Sequence, residues 1–449
     1  MEKWGLSRYT ALIRDDSGDL ILHNSYMGAI AYIPADQTAN IEKFIFQGIT
    51  EDDLDDKALK ELCDGGFFIS SSLDEQKLVS ELLYKERELM EFNIIIMPHE
   101  NCNFRCTYCY ESHNRGKMNQ DTISGLKILV DHKAKEYQRI NISWFGGEPL
   151  LAKDVIYELS KSFINSCEKN KILYKSDMTT NGYFLTPRVV DSLLNHEIKS
   201  FQVTLDGPET THDNTRKLAN GGKTYKRILG NLINMHNSDA EFHVTIRVNF
   251  NYDSIPLMDQ FFFEISNYFA NDPRFSLYFR PIGKWGGKND ANLETCDEKY
   301  STSVKAGLTE RHIKFGFSDK TIKGFLGSHG NVCYAAKNSS IVVGCDGTIY
   351  KCTLGFDDPR NQVGKLTRDG QMLIDQSKWD LWVKIDDKDI SGCIQCPFIP
   401  SCQSRHCPRS AMELKRVVCP MTKAEYESMV RAVVLSNNPV NSDSLAVSS

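Results

Sequence analysis

Apolar, β-branched runs recur through the middle of the chain at 92–97, 140–145, 174–180, 200–205, 242–250 and 275–282. Between them, 120–136, 154–167, 187–194 and 224–236 carry apolar residues at helical spacing and are long enough for crossover helices. Unbroken apolar runs are those of strands covered on both faces, so six such units predict parallel strands wrapped by helices. The fold class expected is α/β, a partial (β/α)6 barrel over residues 91–310. Ahead of it, 9–13, 20–23 and 29–33 read as short strands around Asp16-Ser17-Gly18 and Gly28, and 39–47, 56–65 and 73–90 as helices. Behind it, 341–343, the turn signal Asp346-Gly347 and a strand starting at Thr348 predict a hairpin within residues 311–436. The segment 437–449, rich in Asn and Ser, is expected to be a disordered tail.

A length of 449 residues suits about three domains, and 25% charged with 41% hydrophobic residues is a globular composition. A net charge of -6, with no basic cluster interleaved with aromatics, gives no reason to expect a nucleic acid partner. Residues 1–14 contain no apolar h-region or small-residue cleavage site, and no apolar run approaches the length of a membrane span. The expectation is a soluble, cytoplasmic protein without a membrane partner. There, fourteen cysteines mean metal or redox chemistry rather than disulfides. Cys63, Cys167 and Cys296 match no motif and read as structural.

The other eleven fall into two places. Cys102, Cys106 and Cys109 stand in Asn101-Cys-Asn-Phe-Arg-Cys-Thr-Tyr-Cys-Tyr110, with the aromatic Tyr108 before the last thiol. Three thiols at this spacing can hold three irons of a four-iron cube and leave the fourth bare; a zinc site, or three unrelated buried thiols, is the alternative. The loop begins just after the first barrel strand, at the end where barrel enzymes place their active sites. Eight more cysteines lie from Cys333 to Cys419, including Cys393-x-x-Cys396.

The triplet resembles the signature of the radical S-adenosylmethionine (SAM) superfamily. That resemblance implies a [4Fe-4S] cluster whose open iron chelates the amino and carboxylate groups of SAM, and cleavage of SAM to a 5'-deoxyadenosyl radical. Three strand-end segments are similar to the family's SAM-binding elements: Gly146-Gly147-Glu148-Pro149, Thr179-Thr180-Asn181-Gly182 and Thr204-Leu205-Asp206-Gly207. The implied SAM contacts are Tyr108, Gly146, Gly147, Glu148, Pro149, Thr180, Asn181, Thr204, Asp206 and Arg216. The first segment is also what an ordinary βα turn looks like. Arg216 suits a bidentate grip on the SAM carboxylate, or is a solvated surface arginine.

The C-terminal cysteines resemble the SPASM domain, which carries two auxiliary four-iron clusters. Carried over residue by residue, Cys333, Cys352 and Cys407 would hold the first, with Cys345 as fourth ligand or as a bystander, and Cys393, Cys396, Cys402 and Cys419 would hold the second. Four residues separate Cys402 from Cys407 where three are typical, an insertion expected to bulge the loop. Paired zinc knuckles remain the competing reading. Three strands followed by three helices in residues 1–90 look like the winged-helix element with which peptide-modifying enzymes bind a precursor's leader, or like a plain cap or a DNA-binding winged helix.

The expected function is a radical SAM maturase that installs a crosslink, thioether before carbon–carbon, in a ribosomally made precursor peptide. It would use three [4Fe-4S] clusters and SAM, with an electron donor such as flavodoxin or ferredoxin as a further partner. A sulfatase maturase shares the barrel and the SPASM domain, but such enzymes place an aspartate base after the cysteine matching Cys352, where this chain has Thr353. A non-catalytic iron–sulfur protein is the remaining alternative.

Overall fold

The computed structural model describes the chain except residues 1, 16, 88–89, 329, 385–390, 394, 405–406, 417, 438–445 and 449, and leaves the side chains of 82–87, 391 and 446–448 aside. The first strands, β1 (Thr10–Arg14), β2 (Leu20–Asn24) and β3 (Ala29–Ile33), form an antiparallel meander. Its two faces are filled from different sources. Leu20, Leu22, Ala31 and Ile33 pack with Leu59 and Leu62 of the helix Lys57–Asp64, while Ile13, Ile21 and Ile30 pack with Ile322, Leu326, Val430 and Val433 from far down the chain. This alternation is the period of two that strands impose. The helices Ala35–Gln47 and Glu75–Arg87 complete the three that the pattern predicts. Three further short strands, Lys3–Leu6, Ile49–Thr50 and Phe68–Ser70, make a second small sheet that the pattern does not reveal.

Six parallel strands follow: β4 (Glu91–His99), β5 (Arg139–Gly146), β6 (Leu173–Thr180), β7 (Ile198–Thr204), β8 (His243–Phe250) and β9 (Phe275–Pro281), each beside the next. Five helices cross between them, Gln120–Glu136, Lys153–Asn170, Pro187–Leu194, Tyr225–His236 and Met258–Phe269. All six strands lie where the apolar runs predict. The run on β4 is continuous because both of its faces are buried: Ile94 and Ile96 join the helix-covered core, and Ile95 and Met97 meet Phe145 and Tyr350 on the other side.

The sheet does not stop at β4. Its free edge pairs in parallel with β10 (Ser340–Val343), Ile94 opposite Ile341, and the antiparallel strands β11 (Thr348–Tyr350), β12 (Gln362–Leu366) and β13 (Met372–Ile374) extend it to ten strands. The predicted hairpin is therefore part of the barrel's own sheet. The C-terminal helix Lys423–Asn437 lies against the helix Glu298–Arg311, with Lys305 paired to Glu425 at 2.9 Å and Arg431 to Glu310 at 3.0 Å. The segment expected to be a disordered tail differs where it is described: Asn437 ends that helix, and Ala446–Ser448 pairs antiparallel with β3. Among the described residues no helix is long and apolar enough to cross a membrane.

Candidate active site

The cysteine triplet leaves the C-terminal end of β4 as a loop fastened on two sides. On one side, Phe104–Cys106 pairs antiparallel with Arg216–Leu218, which sets Arg216 directly opposite Cys106. On the other, the amides of Gly147 and Glu148 donate to the carbonyls of His99 and Asn101 at 3.2 and 3.1 Å. The two glycines are required by that approach. A Cβ on Gly147 would stand 2.4 Å from the Asn101 carbonyl oxygen, and Gly146 has a φ of +112° with the His99 carbonyl oxygen 2.6 Å from where its Cβ would be. Gly146-Gly147 thus lets the cysteine loop close onto β5.

The three thiols line one solvent-open cleft. Of the expected SAM contacts, Tyr108, Gly146, Gly147, Thr180, Asn181, Thr204 and Arg216 also line it. Glu148, Pro149 and Asp206 do not: they are buried behind it, and the two carboxylates are committed to the scaffold. Glu148 accepts from Thr180 Oγ1 at 2.8 Å, from Asn181 N at 2.8 Å and from Leu150 N at 3.1 Å, tying the ends of β5 and β6 together. Burial still holds its carboxyl up at about 7. Asp206 accepts from the Tyr108 hydroxyl and from Asn249 N at 2.8 Å. Tyr108 in turn accepts from Arg216 Nη1 at 2.8 Å and Asn249 Nδ2 at 3.1 Å. Asp206, Asn249 and Tyr108 therefore hold Arg216 in place. Asn181 donates to Asn103 Oδ1 at 2.8 Å, and so binds the β6 end to the loop.

These residues fit the cluster and SAM. Burial raises the thiols, Cys102 up to about 12 and Cys106 and Cys109 above the usual range, which thiolate ligation to a cationic cluster would reverse. The buried Arg216 keeps its Nε without a partner at the edge of the same cleft, a vacancy suited to a carboxylate. Among the described residues no three Cys, His, Asp or Glu side chains close up to the spacing of a single metal ion.

Two sets of C-terminal cysteines lie within electrostatic reach of one another. Burial, with the thiols of Cys407 and Cys352 beside it, pushes Cys333 up to about 12, and Cys407 acts likewise on the raised Cys352. Burial, with Cys396, Cys393 and Cys419 beside it, pushes Cys402 up to about 12. Cys345 stands apart. It sits at the turn of the β10–β11 hairpin, whereas Cys352 lies beyond the other end, five positions or roughly 16 Å along the strand at ~3.3 Å per residue. Its amide donates to Glu100 Oε1 at 2.8 Å, and burial, with Glu100 beside it, raises the thiol. The antiparallel pairing carries the two cysteines to opposite ends, so Cys345 does not complete the first group. In the interval from Cys402 to Cys407, residues 405–406 lie outside the description, and Gln403 and Ser404 adopt consecutive left-handed conformations, φ 52° and 55°.

Sequence reasoning missed several residues of the cleft: Tyr110, Glu111, Arg247, Asn249 and Trp285. Arg247-x-Asn249 ends β8 as polar segments end β5, β6 and β7, a signal that was present in the chain. Glu111 stands two residues after Cys109, and burial, then Glu100 and Glu148, hold its carboxyl up at about 8. Trp285 lies in a glycine-rich loop whose Gly287 passes the Cys109 carbonyl so closely that a Cβ would come within 2.6 Å. Only the fold reveals that approach.

Residues 96–253 match the family model described as the Radical SAM superfamily, so the barrel with its cysteine triplet is a radical SAM domain. The chain is similar to the cysteine-type anaerobic sulfatase-maturating enzyme of Clostridium novyi, at 23% identity over 59% of this chain and 74% of that one. It is also similar to the serine-type anaerobic sulfatase-maturating enzyme of Bacteroides thetaiotaomicron, at 22% identity over 69% and 80%. Among solved structures, native anSMEcpe with bound AdoMet and Cp18Cys peptide superposes with a TM-score of 0.53, at 16% identity over 78% of this chain and 99% of that one, a likeness of fold. The matched domain and the similarity to sulfatase-maturating enzymes mark the chain as an enzyme.

Proposed function

We propose that this enzyme is a peptide maturase that takes a hydrogen atom from a precursor peptide and leaves a crosslink, a thioether before a carbon–carbon bond. The three four-iron clusters and SAM, when bound, supply the 5'-deoxyadenosyl radical and an acceptor for the electron that the oxidised product gives up. Cys102, Cys106 and Cys109 would hold the first cluster, and Arg216, kept in position by Tyr108, would bind the SAM carboxylate. The single observation that carries the reading is the placement of Tyr110. This cleft-lining phenol is raised by burial, and Cys109 and Cys352 add to the rise, so Cys352 lies within electrostatic reach of the cleft. With Cys345 removed from that group, Cys333, Cys352 and Cys407 leave one coordination position to a donor outside the expected set. The N-terminal meander and helices would bind the leader.

The homology favours a second reading, formylglycine formation on a sulfatase. Against it, Thr353 stands where an aspartate base is expected, and its hydroxyl is bonded to the Tyr334 hydroxyl at 2.8 Å, a pair without a carboxylate. Anaerobic reconstitution with SAM, a reductant and the short peptides encoded beside the gene tests the choice. A product lighter by two hydrogens with a cysteine thiol consumed supports the thioether; an aldehyde on a sulfatase peptide overturns it.

A further inference from the structure

A second cavity, with about 650 Å3 of empty space, is lined by β9, the helix Glu298–Arg311 and the C-terminal helix. Strand alternation explains its chemistry. On β8 and β9, Ile246, Val248 and Phe279 face the covering helices, and the positions between them are Arg247, Tyr278 and Arg280. Tyr278, Arg280 and Lys305 line this second cavity, while Arg247 lines the thiol cleft.

In the β8–β9 pairing Arg247 stands opposite Tyr278 and Asn249 opposite Arg280, so both arginines and the phenol share one face of adjacent strands. Burial works to raise the Tyr278 phenol, yet Arg280, Lys305 and Arg247 bring it below its ordinary value. Their own partners differ. Lys305 is neutralised by Glu425 at 2.9 Å. Arg247 gives its Nε to the neutral Asn249 Oδ1 at 2.9 Å, and Arg280 lies over the Trp285 ring at 5.2 Å. Among the described residues neither guanidinium meets a carboxylate. Leaving two guanidiniums half-buried and unneutralised costs free energy unless an anion joins them, and their planar forks match a carboxylate.

We infer that Arg247 and Arg280, with Tyr278 between them, seat a carboxylate of the substrate, so that the peptide carries an acid close to the carbon that loses its hydrogen. This rests on the maturase reading of the cleft. The acid is either an Asp or Glu side chain or the peptide's own C-terminus. Because Arg247 belongs to the thiol cleft and Arg280 to the second cavity, the carboxylate would fix which substrate carbon faces the cleft.

The test is calorimetric titration of the full-length, cluster-reconstituted protein with four probes. They are acetyl-Gly-Gly-Asp-Gly-Gly-amide, its Asn counterpart, the all-glycine peptide with a free C-terminal carboxylate, and inorganic phosphate. The expected result is binding of the Asp or the free-acid probe at least about tenfold tighter than the Asn amide, a charge-assisted bond's worth. Arg280→Gln should erase the preference and Arg280→Lys keep part of it; which acid wins assigns the source. Equal binding of acid and amide probes, or phosphate binding tighter than both acids, overturns the inference. Persistence of the preference in a folded Arg280→Gln variant does the same. The underlying reading fails separately: acid-dependent binding with no mass change in any peptide under turnover would discard the maturase and keep the anion site.

Discussion

The two cysteine-rich regions of this chain are built in opposite ways. The triplet loop hangs from β4, is ribboned to Arg216–Leu218 and seats against Gly146-Gly147, all on a barrel whose core runs through every strand. Among its described residues the Cys393–Cys419 segment has two short helices, Ile399–Cys402 and Pro408–Leu414, and a small apolar contact of Ile399 and Cys393 with Tyr9 and Val79. It is moored by single bonds such as Asn331 N to Ser401 O at 3.2 Å and Ser401 Oγ to Phe325 O at 3.1 Å. A site on a rigid scaffold keeps its shape without a metal; a segment without a core of its own draws its order from the metal it binds. If both sets hold clusters as proposed, the same ligand type serves chemistry in one region and folding in the other.

The comparison is open to direct attack. Replacing Cys102, Cys106 and Cys109 together by alanine should have the largest effect, abolishing SAM cleavage while leaving the thermal midpoint of the apo-protein nearly unchanged. Chromatographic detection of 5'-deoxyadenosine and a melting curve measure both, and iron should fall from about twelve to about eight per chain. A large fall in the midpoint would mean that the barrel loop, too, needs its metal to fold.

Cys393→Ala with Cys396→Ala should do the converse. Peptide product should drop about a hundredfold and limited proteolysis should cut between 385 and 419, while uncoupled SAM cleavage stays within a few-fold of the unmutated rate. Proteolytic resistance equal to the parent's would show that this segment is ordered by packing after all.

Gly147→Ala sharpens the scaffold side. The added methyl must displace the Asn101 carbonyl, a strain of about 1–3 kcal/mol, and should lower SAM cleavage about tenfold at unchanged iron content. Serine at 147 should behave alike, since the clash begins at Cβ.

The smallest effect is expected at Cys345. Cys345→Ala should leave the electron paramagnetic resonance spectrum of every cluster unaltered and cost about 1 kcal/mol of stability from one buried thiol. A changed auxiliary-cluster spectrum would return Cys345 to the ligand set.

What was legible in the chain is what depends on neighbours in sequence. The period of apolar residues located all six barrel strands, because a strand buried on both faces must be written as an apolar run; the motif of Cys102, Cys106 and Cys109 pointed to the radical SAM domain that residues 96–253 match. Gly146-Gly147 was visible as a close approach, though its partner turned out to be the cysteine loop's own backbone. What the tertiary structure decided are relations between distant segments. The pairing of β10 with β4 made the C-terminal hairpin a continuation of the barrel, and its register sent Cys345 and Cys352 to opposite ends, although seven positions in sequence suggested a shared site. The burial of Glu148 and Asp206 behind the cleft gave both carboxylates backbone and side-chain partners, and the register that sets Arg247 beside Tyr278 has no local signature. Local motifs record which atoms can react; register and burial, set by the packing of the whole sheet, determine which of them meet.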